Sequence, residues 1–163
     1  MTRQFPPATA DERDMLTGWL DHQRATVRLK CTGLSEEQAE LAVLPASPRM
    51  TVKTLVGHLR HVERGWFEIG FLGVQEVGAK DPLQLSQPPG ASLDRLLDEY
   101  DRQCERSREI VAGHQLDELE AHAPEGIELV SLRWIITHLI EETARHLGHL
   151  DAMRELIDGT TGY

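Results

Sequence analysis

The feature that most constrains the fold is an apolar stripe near the C-terminus, where hydrophobic residues recur every three or four positions between Ser131 and Gly159. This period places them on one face of an α-helix. Ser131 is a typical N-cap residue, and Gly159 is a typical residue for the end of a helix. The segment therefore predicts a long amphipathic helix whose buried stripe is Leu132, Ile135, Ile136, Leu139, Leu150, Met153 and Ile157.

Three further segments have the same period and predict helices near residues 9–33, 51–73 and 92–113. Thr9 and Glu12 have the spacing of a capping box and predict the start of the first of these helices. The other N-terminal signals are Thr51, Ser92 and a second capping box over Ser35–Gln38. The predicted buried stripe of the first helix is Leu16, Trp19, Leu20 and Val27.

A chain of 163 residues is long enough for one domain with a real core, so we treat residues 1–163 as a single domain. Four amphipathic helices pool their apolar stripes most economically in an all-α four-helix bundle. Residues 75–90 are rich in proline and glycine and show no period, which predicts a long crossover between helices two and three. Such a crossover makes these two helices parallel and gives the order up-down-down-up.

The charge of the chain excludes several classes of partner. A net charge of −10 disfavours nucleic acids and anionic membranes, because both require a positive field. No apolar run approaches membrane-spanning length and the N-terminus lacks a signal-peptide core, so we expect a cytoplasmic protein. Cys31 and Cys104 are far apart and outside any Cys-x-x-Cys motif, which predicts buried thiols rather than a disulfide or thiolate site.

Ionisable residues on an apolar stripe are informative, because burying them is costly unless something compensates. A helical wheel places His146 about 20° and Glu142 about 60° from Leu139, whereas Glu141 falls about 160° away. Glu142 and His146 are four residues apart, so both side chains project over one turn. On the second helix, His58 lies beside the apolar face and can reach the interior.

Two imidazoles and one carboxylate match the donors of a catalytic zinc site, so His58, Glu142 and His146 are our predicted metal ligands. Nickel or another first-row ion suits the same donors. Spacing alone also allows Glu142 and His146 simply to hydrogen-bond each other, with His58 unrelated. The roles of the neighbouring histidines stay open, although the wheel favours supporting or pocket-rim positions; they are His61, His138 and His149.

Two stretches carry a resemblance to a known family: GHLRHVERGWF over residues 57–67 and HLIEETARHLGHLD over residues 138–151. They resemble the DinB-like superfamily, and in particular its actinobacterial branch related to mycothiol-dependent enzymes. The likeness spans nearly the whole chain. Glu142 stands where the wider superfamily often has histidine, which is similar to mycothiol-dependent maleylpyruvate isomerase and favours the thiol-cofactor branch.

The resemblance implies an up-down-down-up bundle, usually a homodimer, with a metal at one end bound by His58, Glu142 and His146. It also implies a metal-dependent thiol S-transferase, in which a bound divalent ion, zinc before nickel, activates a low-molecular-weight thiol such as mycothiol. The thiol then attacks an electrophilic small molecule. No residue is assigned to thiol binding or to a catalytic role beyond the ligands.

Two other hypotheses stay open. The chain is alternatively a non-catalytic metal-binding stress-response protein, in which the ion only holds helices together. It is otherwise a metal-free bundle that dimerises. The sequence does not identify the electrophile, the particular thiol or the metal.

Overall fold

The architecture is all-helical, as predicted. The computed structural model describes residues 3–75, 90–123 and 126–162, and these contain no β-strand beyond one isolated bridge between Leu119 and Ser131. The predicted crossover falls almost entirely on residues 76–89, which lie outside the described ranges. The helices are α1 (Glu12–Cys31), α2 (Glu36–Ala39), α3 (Val52–Arg64), a π-helical continuation of α3 (Gly65–Phe71), α4 (Leu93–Gly113) and α5 (Leu132–Asp158).

Polar caps define most helix starts where the sequence predicts them. The side chains of Ser92 and Ser131 accept hydrogen bonds from the first turns of α4 and α5. Ser35 and Gln38 form the predicted capping box at α2. At the other end of α5, Gly159 adopts a φ of 76°, a left-handed conformation that glycine adopts at little cost. In the described part of the chain, no helix combines the length and the apolarity that crossing a membrane requires.

The start of α1 differs from the prediction. Asp11 is the N-cap, and its Oδ1 accepts a hydrogen bond of 2.9 Å from the backbone N–H of Asp14. The predicted capping box of Thr9 and Glu12 is therefore wrong. Aspartate is as good an N-cap as threonine, and Asp11 lies two residues closer to the first buried turn.

Two clusters of buried apolar side chains form the core. The first contains Val27, Leu59, Tyr100 and Leu150, and the second contains residues such as Leu20, Phe67, Ile110, Ile136 and Leu139. Helix α1 packs on α5, and α3 packs on both α4 and α5. The helices thus bury the faces that their periodicity predicts. One exception is Trp19, which is 37% exposed and contacts the rings of Phe5 and His22 instead.

Ion pairs and a side-chain-to-backbone hydrogen bond show the relative direction of α1 and α4. Arg28, near the end of α1, bonds to Asp98 and Asp101 near the start of α4, each at 2.7 Å. Arg13, near the start of α1, donates to the carbonyl of Val111 near the end of α4 at 2.8 Å. The end of α1 thus meets the start of α4 and the start of α1 meets the end of α4, so the two helices run in opposite directions.

Two other pairs of helices, α3 with α4 and α1 with α5, run in the same direction. Arg60 pairs with Glu99, and further along both elements Gln103 donates to Glu68 at 2.9 Å. Helix α3 with its π-helical continuation therefore runs in the same direction as α4. The pairs between α1 and α5 follow the same rising order: Arg133 with Glu12 at 2.7 Å and Lys30 with Asp151 at 2.5 Å.

A buried ion pair separates the two apolar clusters. Arg24 of α1 donates to both carboxylate oxygens of Glu63 of α3, at 2.7 and 2.6 Å, and the two side chains are only 3% and 1% exposed. The sequence pattern did not reveal this pair. On either side, the core residues of these helices are Leu20 and Val27 on α1 and Leu59 and Phe67 on α3.

Candidate metal centre

Three side chains from α3 and α5 converge where these two helices face each other. Oε1 of Glu142 lies 3.0 Å from Nε2 of His146 and 3.2 Å from Nε2 of His58. The three donor atoms all lie within 4.8 Å of one another. The structure therefore brings together the three residues that the sequence predicts as ligands.

The surrounding helices explain why these side chains meet. Leu139 and Leu147 bury the inner face of α5, which leaves Glu142 and His146 at the edge of that face. Their side chains are 13% and 15% exposed, whereas that of His58 is 40% exposed. Glu142 and His146 fall in the middle third of α5 rather than at an end of that helix. The site is thus closed on the core side and open on the His58 side.

The protonation states suit metal binding. Burial alone raises the pKa of Glu142, but hydrogen bonds and charge from His58 and His146 outweigh it, so its pKa lies below the usual value. Burial, assisted by the neighbouring His58, lowers the pKa of His146. Near neutral pH the site therefore presents a carboxylate and a neutral imidazole, the forms that bind metal ions.

The donor set fits one divalent ion. Two imidazole nitrogens and one carboxylate oxygen are the ligands of catalytic zinc sites, which keep a further position for substrate. In addition, Nδ1 of His146 is buried without a hydrogen-bond partner in the described residues. Ligating histidines usually have a partner at the second nitrogen, and this nitrogen has none among the described residues.

The neighbouring histidines do not join the three donors. The ring of His149 lies 5.5 Å from that of His146, and its buried Nδ1 also has no partner among the described residues. His138 instead packs against both Trp66 and Trp134, with ring centroids 4.9 and 5.1 Å away. The sequence had left these roles open.

His61 faces α4 rather than the three donors. Together with residues of α4 it borders a cavity of about 330 Å³ between the two helices. None of the three donor residues lines this cavity. Its remaining lining residues are Arg60, Arg64, Glu99, Arg102 and Gln103.

The two cysteines are buried, as predicted, and are 2% and 0% exposed. Burial raises the pKa of Cys31 to about 12 and that of Cys104 further still. Neither is a thiolate at neutral pH, so neither is a suitable nucleophile. Any thiol chemistry at this site needs a thiol from another molecule.

Comparison with known proteins adds one finding. A family model described as MST, mycothiol-S-transferase, matches residues 15–159. The matched region includes all three converging side chains, the whole of α3, α4 and α5, and α1 from its fourth residue onward. A search of curated proteins found no match to the chain.

Proposed function

Because the chain belongs to the mycothiol S-transferase family, we propose that it transfers a low-molecular-weight thiol, mycothiol or a close relative, to an electrophilic small molecule. In this proposal His58, Glu142 and His146 hold one divalent ion. The observation that carries it is the convergence of their donor atoms within 4.8 Å. Zinc suits two nitrogens and one oxygen best, and nickel is the second choice.

When bound, the ion supplies a positive charge that lowers the pKa of a thiol and keeps it as a thiolate near neutral pH. The residues of the chain hold the donors in place. Glu142 contacts both imidazoles through the same oxygen, which orients the two rings toward one point. The exposed edge at His58 leaves room for small molecules to enter.

The chemical step is a nucleophilic substitution. The thiol gives its proton to solvent water, and the sulfur electron pair forms a bond to the electrophilic carbon. The leaving group departs with the electron pair of the bond that breaks, for example as chloride. No oxidant or reductant is needed. The polar, partly open site lets the released anion reach water.

We also propose that α1, α3, α4 and α5 form the up-down-down-up bundle. The order of the ion pairs and hydrogen bonds between helices supports it, since α1 runs opposite to α4, whereas α3 runs parallel to α4 and α1 runs parallel to α5. The homodimer and the cytoplasmic location stay predictions, which sedimentation and cell fractionation test.

The test of the transferase proposal is a thiol-transfer assay. Zinc-loaded protein, mycothiol and monochlorobimane are mixed, and the fluorescent conjugate is followed against the metal-free protein. We expect metal-dependent turnover that Glu142→Gln lowers at least about a hundredfold, because it removes a charged ligand. The matched control is Glu141→Gln, since Glu141 is exposed and pairs with Arg145. Equal rates with and without metal would overturn the proposal.

The alternative function is a non-catalytic metal protein. It is favoured by the fact that the three donors connect two different helices, so a bound ion would also hold α3 to α5. Chelation would then lower the melting temperature strongly, and the metal-loaded protein would show no affinity for thiols. Calorimetric titration with mycothiol separates the two functions, because metal-dependent thiol binding contradicts the purely structural role.

A further inference from the structure

One row of side chains on α5 connects the candidate metal centre to a group of aromatic rings. Trp134, His138, Glu142 and His146 follow one another at intervals of four residues. Residues four apart on a helix lie on the same face, so the row forms a continuous strip. Measured along the helix axis, His138 is about 6 Å from Glu142, and Trp134 is about 12 Å from it.

Helix α3 supplies the matching side of this strip. His58 lies opposite Glu142 and His146, and eight residues later Trp66, in the π-helical continuation, lies opposite Trp134 and His138. The metal donors and the aromatic rings therefore share one interhelical face. The rings are at the end of this face where α5 begins.

The three rings, which we call the aromatic cluster, are Trp66, Trp134 and His138. The rings of Trp134 and His138 are stacked, with centroids 5.1 Å apart and planes at 21°. Trp66 is inclined to both, at 5.3 Å from Trp134 and 4.9 Å from His138. Trp134 is 45% exposed, so the cluster has apolar ring surface that a ligand can reach.

We propose that the aromatic cluster is the subsite for the electrophile, and that it selects electrophiles with a neutral, planar, apolar body. This inference rests on the proposed transferase function for the role of the ligand. A flat ring gains offset or edge contacts with the exposed tryptophan. Such a ligand fits because the cluster itself contains no carboxylate, lysine or arginine, and the exposed carboxylate of Glu141, 4.0 Å from Nδ1 of His138, disfavours an anion beside it.

The spacing also limits the size of the electrophile. A ring that contacts Trp134 or His138 lies about one to two helical turns from Glu142, which is roughly 6 to 12 Å along the helix axis. An electrophile with one or two rings spans that interval and leaves its reactive carbon beside the three donors. A small electrophile without a ring reaches the donors but gains nothing from the cluster.

The binding test uses metal-free protein and 2,4-dinitroaniline, a planar neutral probe that quenches tryptophan fluorescence and has no leaving group for thiols. We expect saturable quenching in the unmodified chain and a Kd at least fivefold higher in Trp134→Ala. The substitution leaves the cap intact, because Ser131 bonds the backbone N–H of Trp134. Circular dichroism verifies the fold of the variant.

The matched control is Trp19→Ala, which removes another partly exposed tryptophan; Trp19 lies on α1 and contacts the rings of Phe5 and His22. Its Kd should stay within twofold of the unmodified chain. Unchanged affinity in Trp134→Ala, or an equal loss in Trp19→Ala, overturns the subsite. The same conclusion follows if Trp134→Ala changes only the oligomeric state, because a second copy then covers the cluster.

The reaction test compares two electrophiles with mycothiol and zinc-loaded protein. Trp134→Ala should raise KM at least fivefold for 1-chloro-2,4-dinitrobenzene and leave KM for iodoacetamide unchanged. Equal effects on both electrophiles contradict the selectivity. If the unmodified chain transfers thiol to neither compound, the transferase proposal fails, whereas the fluorescence titration still decides whether the cluster binds planar ligands.

Discussion

Arg24 and Glu63 form a bidentate ion pair in the interior, with Nε to Oε1 at 2.7 Å and Nη2 to Oε2 at 2.6 Å. The pair lies between the two apolar clusters and joins α1 to the end of α3. Asp21 adds a third carboxylate oxygen, 2.9 Å from Nη1 of Arg24. A buried guanidinium with these partners is satisfied, and it becomes costly once a partner is lost.

We therefore expect Glu63→Gln to lower the free energy of unfolding by about 3–5 kcal/mol, because it leaves a buried charge without its main partner. Replacing both residues, as Arg24→Met with Glu63→Leu, should recover most of this loss. Urea unfolding measures the free energy of unfolding of the unmodified chain, the single variant and the double variant. The control is Glu109→Gln in the exposed pair with Arg106, where we expect a change of about 0.5 kcal/mol or less. A small effect of Glu63→Gln would show that the pair contributes little.

Metal affinity should depend on His146 and not on His138. We expect His146→Ala to weaken zinc binding at least about a hundredfold, since it removes one of three ligands. His138→Ala should change the zinc affinity by less than about threefold, because the ring of His138 packs on two tryptophans rather than at the metal donors. Competition with a chelating dye measures both. Equal losses in the two variants would contradict the assignment of ligands.

The metal-free protein should become less stable on acidification. The pKa of His146 is lowered in the folded state, so the unfolded chain takes up a proton first, near its ordinary value of 6.5. The contribution of His146 to the free energy of unfolding is fully present above pH 6.5 and declines as the pH falls toward the folded-state pKa. Glu142, whose pKa is also lowered, adds a second loss below its ordinary value of 4.5.

The measurement is the urea midpoint between pH 8 and 4 for the unmodified chain and for His146→Asn, both without metal. The variant should lose less stability between pH 7 and 5 than the unmodified chain. His114→Asn is a suitable comparison, because His114 is more exposed and bonds to Glu118 rather than to the candidate site. Parallel profiles for all three chains would remove His146 as the source of the dependence.

The start of α1 provides a test of local structure. Asp11→Ala should reduce stability by about 0.5–2 kcal/mol, because it removes the carboxylate that accepts from Asp14. Thr9→Ala should change it by only about 0.5 kcal/mol or less, as expected for a surface substitution. Thermal unfolding of both variants decides between the two caps. The reverse ranking would restore the capping box that the sequence predicts.

The cysteines should be unreactive in the folded protein. With a pKa of about 12 for Cys31 and a higher one for Cys104, fewer than one thiol in a thousand is ionised at pH 8. We expect Ellman's reagent to label almost no thiol in the native chain within minutes. It should label both in guanidinium chloride. Rapid native labelling would mean that the core opens readily or that a thiol is accessible.

Most of the helices and the identity of the candidate ligands could be predicted from the sequence. Periodicity and caps are local properties, and the helix repeat of 3.6 residues places Glu142 and His146 together whatever the rest of the chain does. His58 could be assigned because it borders an apolar stripe that has to face the core. The contacts of the His138 side chain could not be predicted, because a residue at the edge of the apolar stripe can pack against more than one neighbouring group.

Tertiary structure decided which side chains from different helices meet. Periodicity gives each helix a buried face, but the rotation and height of one helix against another depend on how all the core side chains pack. That packing placed Arg24 against Glu63 and Trp66 against Trp134, and neither pair has a local sequence signal. It also brought His58 within reach of Glu142, because contacts across 84 residues depend on the whole fold and not on spacing along one helix.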